Sequence, residues 1–213
     1  VLNNSDDLAR EAALIISNVI KSVLQKKERC HIALSGGSTP CKTYHLLKDQ
    51  ILPWEKVDVF LGDERWVPSN HEDSNALMLK SSLLSSGLAT KARFYEVPVD
   101  KCLTPAECAV EFSLLIQTVC GDSSPLFDLT LLGLGDDGHT ASLFPQSDSL
   151  NIKESITTVS AGKGTDRITL TAPCINASSQ IIFLVSGKGK KIALQRLLDP
   201  NEKPSRTPAK LID

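Results

Sequence analysis

The run Gly133-Leu134-Gly135-Asp136-Asp137-Gly138-His139 sets a carboxylate two residues before an imidazole, with glycines around both. It follows an apolar stretch, Phe127-Asp128-Leu129-Thr130-Leu131-Leu132, that reads as a buried strand. A strand emptying into such a loop puts the imidazole at the carboxyl end of a sheet, the edge where open α/β folds bind ligands. Histidine changes charge near neutral pH and is the side chain best suited to move a proton there. His139 therefore reads as a general base, with Asp137 as a carboxylate able to orient it and the glycines allowing close substrate approach. The plainer alternative is a loop histidine satisfied by backbone hydrogen bonds.

Two other loops have the same build. Leu34-Ser35-Gly36-Gly37-Ser38-Thr39-Pro40 joins an apolar strand to a helix through a Gly-Gly turn and two hydroxyls. Free N–H groups and the positive end of a helix dipole make such a junction an anion cradle. The loop is neither a Walker A sequence nor G-x-G-x-x-G, so it does not read as a nucleotide site. A tight turn with Ser38 or Thr39 as helix cap explains the same residues, and both readings stand at this point. Gly62-Asp63-Glu64-Arg65-Trp66-Val67-Pro68 leaves the second strand on the same edge, and its arginine can clamp an oxyanion with several fixed donors. Arg167, just before Ile168-Thr169-Leu170-Thr171, and Lys190, in a further strand-Gly-helix junction, add cations. Lys188 and Lys191 read as solvated. His45 and His71 read as structural or solvated, and Trp54 and Trp66 as packing residues, with Trp66 close enough to wall the site.

The elements needed to carry these loops are legible. A helix begins at Ser5-Asp6-Asp7, with apolar Leu8, Ala12, Ile15, Ile16, Val19 and Val23 at helical spacing. Strands follow at 31–34, 57–61, 128–132, 168–171 and 181–185. Helices are expected over 75–84, 104–119 and 188–198, and another opens near Pro40. Strands alternating with helices imply an α/β fold, a Rossmann-like, mostly parallel sheet covered on both faces in a single domain. Residues 199–208, rich in Pro, Lys, Arg and Ser, read as linker.

Composition narrows the class. The chain has 213 residues, 41% of them hydrophobic, and a formal net charge of −2. That supports one well-cored domain and argues against nucleic acid or an anionic membrane as partner. The six cysteines form no C-x-x-C pair and match no zinc pattern, so no metal site is expected and a reduced compartment is the better reading.

Taken in order, the segments 34–40, 62–68, 74–75, 133–145, 167–171 and 187–190 resemble the 6-phosphogluconolactonase family. The resemblance implies a fold shared with glucosamine-6-phosphate deaminases. It also implies hydrolysis of 6-phosphoglucono-δ-lactone in the oxidative pentose phosphate pathway, without metal or organic cofactor. The family's general base falls on His139, its phosphate contacts on Ser35, Gly36, Gly37, Ser38, Thr39, Arg167 and Lys190, and Asp63 and Arg65 come beside the substrate. Asp137 either orients His139 or contacts sugar hydroxyls. The deaminases carry a glutamate five residues after the histidine, and Phe144 stands there instead. A silent sugar-phosphate-binding domain is the non-enzymatic alternative, but His139 and the Asp-Glu-Arg loop are both present. Family members continue into a last strand and helix beyond Pro208-Ala209. The resemblance therefore implies a trimmed domain, or one cut from a longer chain such as a fusion with glucose-6-phosphate dehydrogenase. The cytosol is the expected compartment, with plastid and endoplasmic reticulum as alternatives.

Overall fold

The computed structural model describes residues 2, 4–121, 125–153 and 155–213. Five strands form a wholly parallel sheet: β1 (Cys30–Leu34), β2 (Val57–Leu61), β4 (Arg93–Tyr95), β5 (Leu129–Leu132) and β8 (Ile181–Phe183), in the order β4-β2-β1-β5-β8. The strands β2 and β5 are buried at every position and β1 at all but His31. Parallel strands covered on both faces read as continuous apolar runs for this reason. One core joins Ile32, Leu34, Val59, Phe60, Leu129 and Leu131 with Ile16 and Ile20 of α1 (Ser5–Leu24) and Phe112 and Ile116 of α4 (Pro105–Cys120).

The first helix is capped by Asn4, whose side chain accepts from the Asp6 and Asp7 amides, one residue before the expected start. Thr104 caps α4 as its Thr-Pro start implies. The helix expected at 75–84 is α3 (Asn75–Leu79) running into a π-helical turn, Lys80–Leu84. That expected at 188–198 is a 3-10 turn, Lys188–Lys190, before α6 (Lys191–Leu198).

The sequence reading needs correction at the strand 168–171. It is part of β7 (Thr165–Leu170) and lies outside the parallel sheet, in the middle of a separate three-stranded antiparallel sheet. Thr171 already belongs to the next element, as the cap of the short helix α5 (Ala172–Asn176). The partners of β7 are β3 (Asp63–Arg65), which leaves β2 after Gly62 alone, and β6 (Thr157–Gly162). Residues 199–208 are not a linker either. Thr207 and Ala209 are fully buried, and the Ala209 amide donates to the Gly138 carbonyl at 3.0 Å. The tail thus buttresses the histidine loop, and Gly138, at φ +93°, leaves room for Thr207, which a Cβ would meet at 2.9 Å. All six cysteines are free thiols. Among the described residues, no helix is long and apolar enough to cross a membrane.

Candidate active site

An open cleft of about 290 Å³ lies at the carboxyl edge of the parallel sheet, lined by the loops after β1, β2, β5 and β8. The strand β1 is central, with β2 on one side and β5 on the other. Loops leaving such neighbours diverge and leave a crevice between them. Of the residues expected at the site, Ser35, Gly36, Gly37, Ser38, Thr39, Asp63, Arg65, His139, Arg167 and Lys190 all line it. Asp137 stands behind His139. Trp66 does not line the cleft and packs against the core.

The His139 Nδ1 lies 2.5 Å from Asp137 Oδ1, and the same oxygen accepts the His139 amide at 3.0 Å. With Nδ1–H donated to the carboxylate, the lone pair of the ring sits on Nε2, the nitrogen suited to take a proton. Burial pushes the imidazole below the ordinary histidine value, against the upward pull of Asp137. Burial would raise Asp137 in turn, but the His139 amide and ring hold it below the usual carboxylate range. The ring is seated closely. A Cβ on Gly135 would lie 2.0 Å from Nδ1, and the Phe144 ring stands 4.7 Å away, centroid to centroid. The position that would carry a deaminase's glutamate is therefore apolar and buried.

These charge states fix a pH profile. The neutral imidazole is the reactive form of a base, and a lowered pKa keeps it neutral into mild acid. The acid limb of kcat/KM should fall below the ordinary histidine value of about 6.5. Asp137→Ala, which removes the upward influence, should move that limb lower still and reduce kcat. A limb at or above the ordinary value in the native chain, by rate measurements across pH, would contradict this.

At the other end of the cleft, Gly37 caps α2 (Ser38–Leu47) at φ +109° and no side chain caps the helix. The hydroxyls of Ser38 and Thr39 are thus not used as caps, which leaves the first amides of α2 for a ligand and removes the plainer reading of this loop. Tyr44 anchors the loop from beneath, its hydroxyl donating to the Ser35 carbonyl at 2.7 Å.

The antiparallel sheet supplies what the sequence reading could not foresee. It sets Arg65 directly across from Arg167, and both guanidinium groups line the cleft. Like charges facing across strands are unfavourable unless something negative lies between them. Burial and then Arg65 act to lower the Arg167 pKa, with Asp63 opposing. Asp63 accepts from Ser142 at 2.5 Å and stands 4.0 Å from Arg167 Nη1, tying the histidine loop to β7. Two buried polar atoms of the lining, Ser35 Oγ and Arg167 Nε, have no hydrogen-bond partner among the described residues. Such atoms carry a desolvation cost that a bound anion would relieve. Lys190 reaches across to Asp136 at 2.5 Å. The lining residue Lys163, at the β6–β7 turn, escaped the sequence reading, with Gly162-Lys163-Gly164 as the available signal, and Asn75 stands in the resembling segment 74–75 without an expected role.

A histidine–aspartate pair facing a cationic cradle across a Rossmann-like sheet edge defines a class of enzyme acting on small anionic substrates. The chain belongs to the family of glucosamine-6-phosphate isomerases and 6-phosphogluconolactonases, whose profile matches residues 3–213. It is 38% identical over 215 residues to a 6-phosphogluconolactonase of Synechocystis sp., covering 100% of this chain and 89% of that one. A Nostoc sp. 6-phosphogluconolactonase is 38% identical over 209 residues, 96% of this chain and 86% of that one. The crystal structure of a 6-phosphogluconolactonase from Shewanella baltica superposes with a TM-score of 0.87 at 26% identity, over 100% of this chain and 91% of that one.

Proposed function

We propose that this chain hydrolyses 6-phosphoglucono-δ-lactone to 6-phosphogluconate, the second step of the oxidative pentose phosphate pathway. The observation that carries the reading is one cleft holding both the His139–Asp137 pair and two buried donors, Ser35 Oγ and Arg167 Nε, without partners among the described residues. His139 Nε2 takes a proton from water as the water oxygen bonds to the lactone carbonyl carbon. The tetrahedral intermediate then breaks its ring C–O bond, and the imidazolium returns the proton to the departing ring oxygen. Arg65 is assigned to the charge that develops on the carbonyl oxygen, a preorganised donor of the kind that lowers such barriers. The loop 35–39, with Arg167 and Lys190, is assigned to the phosphate, and anchoring that remote group orients the carbonyl toward the water. Asp63 holds Arg167 and Ser142 in place. A δ-lactone is an activated ester, so this chemistry needs neither a nucleophilic side chain nor a metal.

The reading extends to a cytosolic enzyme that takes its lactone from glucose-6-phosphate dehydrogenase, as a separate chain or a fused one. Six free thiols suit a reducing compartment.

Replacing Arg167 or Lys190 with alanine should raise KM about 10- to 100-fold for each, by loss of a charge-assisted contact worth about 1.5–3 kcal/mol. For Lys190 the kcat should hardly change. Steady-state kinetics on the lactone checks this, and unchanged KM in both variants would put the phosphate elsewhere.

A further inference from the structure

Glu64 lies in the middle of the Asp-Glu-Arg loop, yet it is 1% exposed and does not reach the cleft. The alternation of β3 explains the split: Asp63 and Arg65 share the cleft side, and Glu64 points the other way. Its carboxylate is fully engaged. One oxygen accepts from the Arg65 and Asn75 amides, both at 2.8 Å, and the other from the Ala76 amide at 2.7 Å and the Ser74 hydroxyl at 3.0 Å. All four partners donate, and two backbone segments are joined through one side chain.

Asn75 sits at the end of that clamp. Its Nδ2 donates to the Asp63 carbonyl at 2.9 Å, and its Oδ1 accepts from Arg65 Nη1 at 3.3 Å. The same guanidinium nitrogen donates to the Asp73 carbonyl at 2.5 Å. Asn75 also presses on the anion loop, where a Cβ on Gly36 would fall 1.9 Å from its Oδ1. An arginine side chain has several rotatable bonds, so it holds one direction only when partners fix it.

We infer that Glu64 is a positioning residue, clamping residues 74–76 so that Asn75 and the Asp73 carbonyl aim Arg65 into the cleft. The inference rests on the reading that Arg65 acts on the substrate. Glu64 acts through backbone amides, and Asn75 transmits that placement to the guanidinium.

The test is a double-mutant cycle in kcat/KM on the lactone, using Glu64→Gln, Asn75→Ala and Arg65→Ala. In Glu64→Gln an amide NH₂ faces two donors wherever it sits, so two of the four bonds are lost. Asn75→Ala keeps the Asn75 amide bond to Glu64 and removes only the side-chain contacts, so it carries the test if Glu64→Gln does not fold. Each should lower kcat/KM about tenfold in the native background, the scale of a hydrogen bond to a charged group. Neither should lower it further once Arg65 is alanine, because residues acting as one unit are non-additive. A purely structural role would give the same loss in both backgrounds, and that result overturns the inference. Native kcat/KM in Asn75→Ala overturns it as well. Native kcat/KM in Arg65→Ala overturns it by removing the role of Arg65, while lactone loss above the spontaneous rate in that sample keeps the lactonase reading.

Discussion

Replacing His139 with alanine should lower kcat for lactone hydrolysis by about 10²–10⁴, the usual worth of a general base, and leave KM nearly unchanged. The asymmetry follows from the division of the cleft. The groups assigned to the phosphate are the loop after β1, Arg167 and Lys190, and none needs the imidazole for its own placement. Asp137 would remain, but its carboxylate cannot substitute. It stands behind the ring, bonded to Nδ1, and would be left with the backbone amide of residue 139 as partner. Initial rates over a range of lactone concentrations, corrected for spontaneous hydrolysis, check this. A kcat within a few-fold of native would remove His139 as the base.

Gly135→Ala should produce the second largest loss without removing any group that reacts. The new methyl would stand 2.0 Å from His139 Nδ1 and 2.2 Å from Cε1, so the ring must move. It cannot move without stretching the Asp137 contact, and Phe144 closes another side. A misplacement of about 1 Å in a catalytic group can cost about 10²-fold in rate, which is the expected fall in kcat. Burial of the shifted ring should change too, so the acid limb of the pH profile should move along with kcat. An alanine variant with native kcat and an unmoved limb would mean that the ring is not held as the geometry describes. Gly135→Ala therefore separates the presence of the imidazole from its placement.

Much of this site is legible in the amino-acid sequence, because the strands that deliver it are buried and apolar. The runs at 31–34, 57–61 and 128–132 stand out as strands, and each empties into a loop whose residue types are unusual for a surface turn. His139, Asp137 and Arg65 are identifiable from that placement, and Arg167 and Lys190 from two other strand-like runs, 168–171 and 181–185. The antiparallel sheet is not. Its strand β3 is three residues long and separated from β2 by Gly62 alone, so the two read as one strand and its loop. Its outer strand β6 runs Thr157-Thr158-Val159-Ser160-Ala161-Gly162, with no alternation of apolar and polar residues to announce it. Without that sheet, the pairing of Arg65 with Arg167 has no sequence signature, since the two lie far apart along the chain and meet only through register.

The role of the tail is hidden for a different reason. Residues 199–208 have the composition of a linker, yet Thr207 is buried against Gly138 and Ala209 docks on it through a backbone amide, neither of which composition reports. The two hydroxyls after Gly37 show the converse. Ser38 and Thr39 are good capping types, but the positive φ of Gly37 gives the cap position to glycine and leaves them free for other work. By residue type Glu64 reads with Asp63 and Arg65 as one charged loop, whereas strand alternation turns it away from the cleft and into a buried clamp.

The central claim is that this cleft opens the lactone ring with His139 as base. The most direct measurement follows 6-phosphoglucono-δ-lactone by NMR, generated in the tube from glucose 6-phosphate, with no protein, with the native chain and with His139→Ala. The account predicts that the native chain removes the lactone well above the spontaneous rate and that the variant, folded by circular dichroism, returns it nearly to that rate. A folded native chain that leaves the lactone to decay spontaneously would contradict the account.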